Sequence, residues 1–406
     1  MYEALAALGL FALLYSSLAG GIERTWLSGA IMFTLFGIVA GPLGFNWLPL
    51  ETGHGTMKTL AELTLALVLF SDAAEVNFAA LRHAARLPVR LLLVGLPLTL
   101  LSGFALGMLV FDQLGLFELA LLATMLAPTD AALGKAVISN PAVPDKYRQA
   151  LNVESGLNDG ICVPILFLFL ALAQGEAGDK PAGLLAITLV VEEVGIGLIV
   201  GILLSSVAVW LLHVSHKRGW ISKIWVQLPV VALAIACFGA AQALGGSGFI
   251  ACFIGGLVFG TQQKQYRQPL LHAAEGTGNA FTLITWVIFG AMLVEPALEH
   301  FSWPVLLYAL LSLTLMRMLP VFIALTGLGL RTEAKLFAGW FGPRGLASIV
   351  FAVIVADAHL PGGQTLSHVV AWTVILSIIG HGISAIPWAK AFGMREKATE
   401  TNLIKD

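Results

Sequence analysis

An all-α integral membrane protein with about thirteen transmembrane helices is what this sequence predicts, and three observations carry the prediction. The 406 residues are 58% hydrophobic and 11% charged, whereas a soluble domain carries about 25% charged residues. Mean hydropathy is +0.88. The apolar residues fall into runs of the size that crosses a bilayer, about 20 residues each, joined by short loops. A net charge of −2 excludes a strongly basic nucleic-acid binder. Cys162, Cys237 and Cys252 sit inside apolar runs without metal-ligand spacing, so they read as small packing residues. No cofactor is implied.

Taken in order, the first run, 4–19, follows Glu3 and lacks the basic flank of a cleaved leader, so a retained helix is expected. Runs 26–40, 56–79 and 87–111 are continuous. Run 115–139 is interrupted at Ala127-Pro128-Thr129-Asp130, and 147–173 holds the densest polar cluster of the chain. Run 182–213 is long and carries Glu192 and Glu193. Then come 224–244, the short 248–260, 273–294 and 303–325. Run 333–356 is interrupted at Gly339-Trp340-Phe341-Gly342-Pro343-Arg344-Gly345. Run 367–392 is the last, and 393–406 reads as a short cytoplasmic tail.

Basic residues set the orientation. With the N-terminus outside, the inward loops and tail take Arg24, Arg82, Arg86, Arg90, Lys135, Lys146, Arg148 and most of the later Lys and Arg. The outward loops take Lys58 and Lys180. The expectation is a multi-pass cell (inner) membrane protein, N-terminus out and C-terminus in.

The chain also reads as two halves. A repeat at about 1–173 and another at about 224–392 flank a linking helix at about 182–213, forming one transmembrane domain over 1–392. Each half has six spans, so the halves are inverted in the membrane. The interrupted spans are the fifth of each half. Paired interruptions in corresponding spans point to a transporter's midplane site.

A charge at the bilayer centre costs at least about 2.5–3.5 kcal/mol, so each one is a functional candidate. Asp72, Asp130, Glu154, Asp159, Glu192, Glu193, Glu275, Arg317 and Arg344 lie inside spans. The acids outnumber the guanidinium groups, so some must be protonated or hold a cation. In Asn152-Val153-Glu154-Ser155-Gly156-Leu157-Asn158-Asp159, Ser155 and Asp159 share one helix face and Glu154 and Asn158 another. Hard monovalent cations take oxygen ligands. Asp159 and Ser155 offer two, and the break at Pro128 adds Thr129 and the second carboxylate of Asp130. A proton and Na⁺ then compete for the same oxygens, and one-for-one competition moves no net charge. Arg344 cannot deprotonate, and Glu154 is its expected partner. Arg317 reads as a bundle counter-ion and His381 as a hydrogen-bonded packing residue, with a pH-sensing role as its alternative.

These residues, with Gly342-Pro343-Arg344-Gly345 late in the chain, resemble the cation:proton antiporter-1 family, the NhaP-type Na⁺/H⁺ antiporters. The resemblance covers almost the whole chain. It implies the Na⁺/H⁺ antiporter fold, with crossed broken helices and a core domain that moves against a dimerisation domain in a homodimer. By the same resemblance, Asp159 is the cation- and proton-binding carboxylate, and Ser155 and Thr129 are ligands of the metal ion Na⁺. Asp130 lies close by, Asp72 reaches the site indirectly, Asn158 steadies the crossing, and Glu154 pairs with Arg344. The chain departs from the family where Ala131 follows Thr129-Asp130, and at Ser71-Asp72-Ala73-Ala74-Glu75. Na⁺ (or Li⁺) is the expected cation, with K⁺ the alternative. No nucleotide-binding domain follows the last span, which favours Na⁺.

Three other readings compete with this one. An organic-anion carrier of related fold conflicts with the excess of buried acids. An intramembrane hydrolase needs a Gly-x-Gly-Asp or Gly-x-Ser-x-Gly setting that is missing here. A cation channel would use the same ligands without alternating access. The expected partners are therefore Na⁺, H⁺, membrane lipid and a second copy of the chain, with no enzymatic activity.

Overall fold

A computed structural model describes residues 2–22, 25, 27–48, 54–76, 86–176, 183–222, 225, 228–262 and 267–403. Among them the regular elements are all helices. In chain order the helices are α1 (Tyr2–Ile22), α2 (Gly29–Ala40), α3 (His54–Glu75), α4 (Arg86–Val110), α5 (Leu116–Met125) and α6 (Lys135–Ile138). Then come α7 (Asp145–Glu176), α8 (Gly183–Lys217), α9 (Pro229–Ala243), α10 (Gly248–Gln262), α11 (Arg267–Met292) and α12 (Val294–Glu299). The last five are α13 (Trp303–Leu313), α14 (Leu315–Ala324), α15 (Thr332–Trp340), α16 (Leu346–Asp357) and α17 (Gly363–Leu403). Seven helical stretches of the described residues are long and apolar enough to cross a membrane, and the shorter α2, α5, α9, α10 and α16 are apolar too. The protein is a multi-pass membrane protein.

The chain divides into two compact units. One holds Met1–His54, Ala84–Asn158 and Trp286–Asp406; the other holds Gly55–His83 and Asp159–Thr285. Helix α7 passes from the first to the second between Asn158 and Asp159.

The second unit is built on backbone proximity. A Cβ at Gly256 or Gly260 of α10 would collide with the carbonyls of Phe70 or Ala74 on α3. On another side of α10, Gly201 of α8 lies against the carbonyl of Ala251. Small residues let helices meet this closely where lipid supplies no hydrophobic drive. Asp72 sits on the α3 stretch that α10 grips, half-buried. Glu193 is half-buried, whereas Glu192 and Glu275 are exposed.

The first unit contains the interruptions, each with a local cause. Helix α4 opens into one π-turn at Leu91–Gly95, just before Pro97, which has no N–H to give the preceding turn. The run 303–325 breaks at Thr314 (φ −106, ψ −91). Pro320, in the next helix, deprives the Met316 carbonyl of its donor, and the Ser102 hydroxyl of α4 supplies one at 3.1 Å. The break at Thr314 starts a new helix with Arg317 buried in its first turn.

The two largest boundary differences from the sequence reading are at run 115–139 and at the last helix. In run 115–139 the helix ends at Met125, and only the short α6 follows, because Pro128 and the turn after it carry the chain through the break. The last helix does not stop near 392 but runs on to Leu403. Phe392 stacks on Phe337 at 4.1 Å, Gly393 lies against the Ala142 carbonyl, and Glu396 is within 3.6 Å of Lys146 and 3.4 Å of the Tyr147 hydroxyl. Packing on this side extends the helix beyond the apolar run. Of the basic residues used for orientation, Arg24, Arg82, Lys180, Lys223, Lys264 and Lys405 lie outside the described residues.

Candidate functional site

The two interrupted spans cross at their breaks, and Asp130 is the point of contact. Its backbone N–H donates to the Pro343 carbonyl at 2.8 Å. Its carboxylate accepts the Leu346 N–H at 2.8 Å and the Leu133 N–H at 3.1 Å, one on each oxygen. Leu346 is the first residue of α16, so the carboxylate caps a helix that belongs to the other span. No side chain fits at Gly345, where a Cβ would run into that carboxylate. The Arg344 guanidinium reaches back across the crossing to the Pro128 carbonyl at 3.2 Å and to Gly342's at 3.3 Å. Each break thus satisfies polar groups that the other exposes, which is what non-helical backbone at membrane depth requires. Asp130→Asn turns one acceptor oxygen into a donor. It is expected to lower stability by about 0.5–2 kcal/mol, the value of a helix cap, as measured by thermal unfolding in detergent.

Helix α7 runs beside the first break and presents the polar cluster to it. Asn158 is completely buried; its amide donates to the Thr129 hydroxyl at 2.7 Å and its carbonyl accepts the Thr129 N–H at 3.3 Å. The Thr129 and Ser155 hydroxyl oxygens are 2.9 Å apart. Asn158 therefore clasps Thr129 at both ends and turns its hydroxyl toward Ser155. Asp159, also buried, follows Ser155 by one helical turn. It belongs with the second unit, as does Asp72.

The expected pairing of Glu154 with Arg344 is corrected by the structure. Glu154 meets Arg317 instead, in a two-pronged pair at 2.6 and 2.8 Å, with both side chains only 1% exposed. The reason is directional. Arg344 is turned into the crossing by carbonyls, while the break at Thr314 aims Arg317 at α7. Gly342 is part of the arrangement, since a Cβ there would stand 2.5 Å from Arg317 Nε. Gly342→Ala should therefore displace the guanidinium and lower thermal stability, while Gly363→Ala, with only Leu360 near its Cβ position, should change it little.

Thr129, Asp130, Ser155, Asn158 and Arg344 are thus brought together in the first unit, with Glu154 bound to Arg317 beside them. Sequence reasoning placed Arg317 only as a counter-ion. The usable signal was an arginine one turn after Thr314 and one turn before Pro320 in an otherwise apolar run. It gave no role to Ser348, whose hydroxyl caps the Met125 carbonyl at 2.8 Å where α5 ends.

Comparison with known proteins gives a consistent picture. The family described as "Sodium/hydrogen exchanger, transmembrane" matches residues 9–391. A K(+)/H(+) antiporter NhaP2 of Shewanella sp. (strain MR-4) is 23% identical over 87% of this chain and 61% of its own length. The chain thus spans about three fifths of that relative. A Na(+)/H(+) antiporter of Schizosaccharomyces pombe is 22% identical over 91% of this chain and 86% of its own. The solved structure of the sodium proton antiporter MjNhaP1 from Methanocaldococcus jannaschii superposes with a TM-score of 0.75, at 22% identity, over 96% of this chain and 98% of that one. The fold is the one seen in that structure.

Proposed function

The chain belongs to the sodium/hydrogen exchanger family, and from that premise we propose that it exchanges Na⁺ for H⁺ by competition at Asp159, one for one and by alternating access. The observation that supports this is the position of buried Asp159, one helical turn after Ser155, whose hydroxyl faces that of Thr129. Glu154 is held by Arg317. Both oxygens of Asp130 accept backbone N–H groups. Those two carboxylates hold the scaffold, and in this reading Asp159 carries the exchanging charge. The facing hydroxyls of Thr129 and Ser155 supply further oxygen ligands, and the Asn158 amide sets their geometry. Asp130 and Arg344 keep the crossing in register, and Asp72 acts on the site from α3.

Competition has a definite sign. A protonated carboxylic acid offers no charge to a cation, so acid must raise the apparent KM for Na⁺, approaching about tenfold per pH unit in the acid limit. The test is proton flux in proteoliposomes at several pH values. A cation KM that stays flat with pH refutes the competition. Because one proton replaces one cation, an imposed membrane potential should leave the rate unchanged.

K⁺/H⁺ exchange is the second reading, favoured by the Shewanella relative, which is named for K⁺. The same vesicles loaded with K⁺ instead of Na⁺ or Li⁺ decide between them. The expected setting is the cell membrane, with the N-terminus outside and the C-terminus inside, in a homodimer of the chain. The expected architecture is a repeat at about 1–173 inverted against another at about 224–392.

A further inference from the structure

The second break leaves polar groups at both of its edges. At one edge is the carbonyl of Trp340, where α15 ends, which also accepts the Gly342 N–H at 2.8 Å; at the other is the N–H of Arg344, which precedes α16. Helix α17 meets both edges with two side chains one turn apart. The Ser377 hydroxyl accepts the Arg344 N–H at 2.7 Å. His381 Nε2 lies 2.8 Å from the Trp340 carbonyl oxygen, and its Nδ1 lies 3.3 Å from the Ser377 hydroxyl. The ring also stacks on the Trp340 indole at 4.9 Å, and that indole N–H donates to the Ser384 hydroxyl at 2.8 Å. Ser377 is fully buried and His381 is 3% exposed, so water does not compete for these bonds.

We propose that Ser377 and His381 are positioning residues for the exchange reaction, forming one hydrogen-bond relay that fixes the distance across the break between Trp340 and Arg344. The relay takes the tautomer of His381 with its proton on Nε2. A neutral imidazole has one N–H. Donated from Nε2 to Trp340, it leaves Nδ1 to accept the Ser377 hydroxyl proton. Ser377 in turn uses its oxygen for Arg344. The relay is then satisfied from end to end. Nδ1 also lies 2.9 Å from the Ser377 carbonyl oxygen, which would accept a proton carried on Nδ1, so the relay requires the tautomer with its proton on Nε2. Between the two edges lie Gly342, against which Arg317 rests, and Pro343, whose carbonyl receives Asp130. Any change in the span from 340 to 344 therefore reaches the crossing through the backbone, without either relay residue touching a transported ion.

This inference rests on the exchange reading for its transport readout. Ser377→Ala and His381→Phe are expected each to lower the exchange rate at saturating cation about tenfold, the scale of one buried hydrogen bond, with the cation KM changed less than about twofold. The double variant should be no slower than the slower single one, since both cut the same relay. His381→Gln, which keeps a donor near the Nε2 position, should retain more rate than His381→Phe. Wild-type rates in Ser377→Ala, or losses that multiply in the double variant, overturn the proposal. If His381→Phe does not fold, Ser377→Ala decides, because it removes one oxygen only. Two measurements need no transport. Nitrogen-15 NMR of the ring should find the proton on Nε2, and a proton on Nδ1 alone overturns the relay. Thermal unfolding of the two single variants and the double variant should show coupling, and additive shifts overturn it. A wild-type chain that exchanges neither Na⁺ nor K⁺ for protons removes the functional reading, while those two measurements still judge the relay.

Discussion

Asp159→Asn is expected to abolish cation-driven proton flux in reconstituted vesicles while leaving the protein folded. The amide keeps the size of the side chain and one acceptor oxygen, but it can neither lose a proton nor carry a negative charge. The scaffold should survive, because Glu154 with Arg317, Asp130 with Leu133 and Leu346, and Asn158 with Thr129 hold the surrounding helices without it. The result to look for is a wild-type melting curve with no response of the pH gradient to added Na⁺, Li⁺ or K⁺. Residual saturable exchange in this variant would move the competing acid elsewhere, and Asp72 is then the next candidate to replace.

The second large effect is on folding. Arg317→Met strands Glu154 as an uncompensated charge in a site 1% exposed. Removing one partner of such a pair typically costs about 3–5 kcal/mol. The variant should melt well below wild type in detergent. Replacing both partners, as Glu154→Leu with Arg317→Met, should recover most of that loss, because the desolvation of two charges goes with them. A single variant as stable as wild type would mean that the pair contributes nothing to folding. Arg344→Met is the informative contrast. Its guanidinium meets the Pro128 carbonyl across the crossing and the Gly342 carbonyl of its own break, so its loss should act on the register of the breaks and hence on transport rate more than on melting.

Much of this was legible in the sequence, for identifiable reasons. Long apolar runs with charges confined to loops can be read by counting, because lipid punishes exceptions. The breaks at Pro128 and Pro343 were legible because proline lacks an N–H wherever it stands. The face of Ser155 and Asp159 followed from helical spacing alone. What was not legible depends on direction in space. Glu154 has two buried arginines within reach of the same folded unit, and sequence distance does not choose between Arg317 and Arg344; a break at Thr314, which carries no proline or glycine, does. Asp130 read as a further cation ligand, and its use as a cap for Leu346 could not be seen from 216 positions away. Ser377 is one hydroxyl among many in transmembrane helices, and nothing local marks the single N–H it serves.

Helix α17 does not end with the apolar run. Its residues from Gly393 to Leu403 add about 17 Å of stiff rod beyond Phe392. That rod leans on the Ala142 carbonyl and on Tyr147 at the foot of α7, two turns before Glu154. This extension therefore touches the foot of the helix that carries Ser155 and Asp159. A fluorescent protein, a purification tag or a soluble domain fused after it is expected to disturb those contacts, and comparing the exchange rates of tagged and untagged chains checks this.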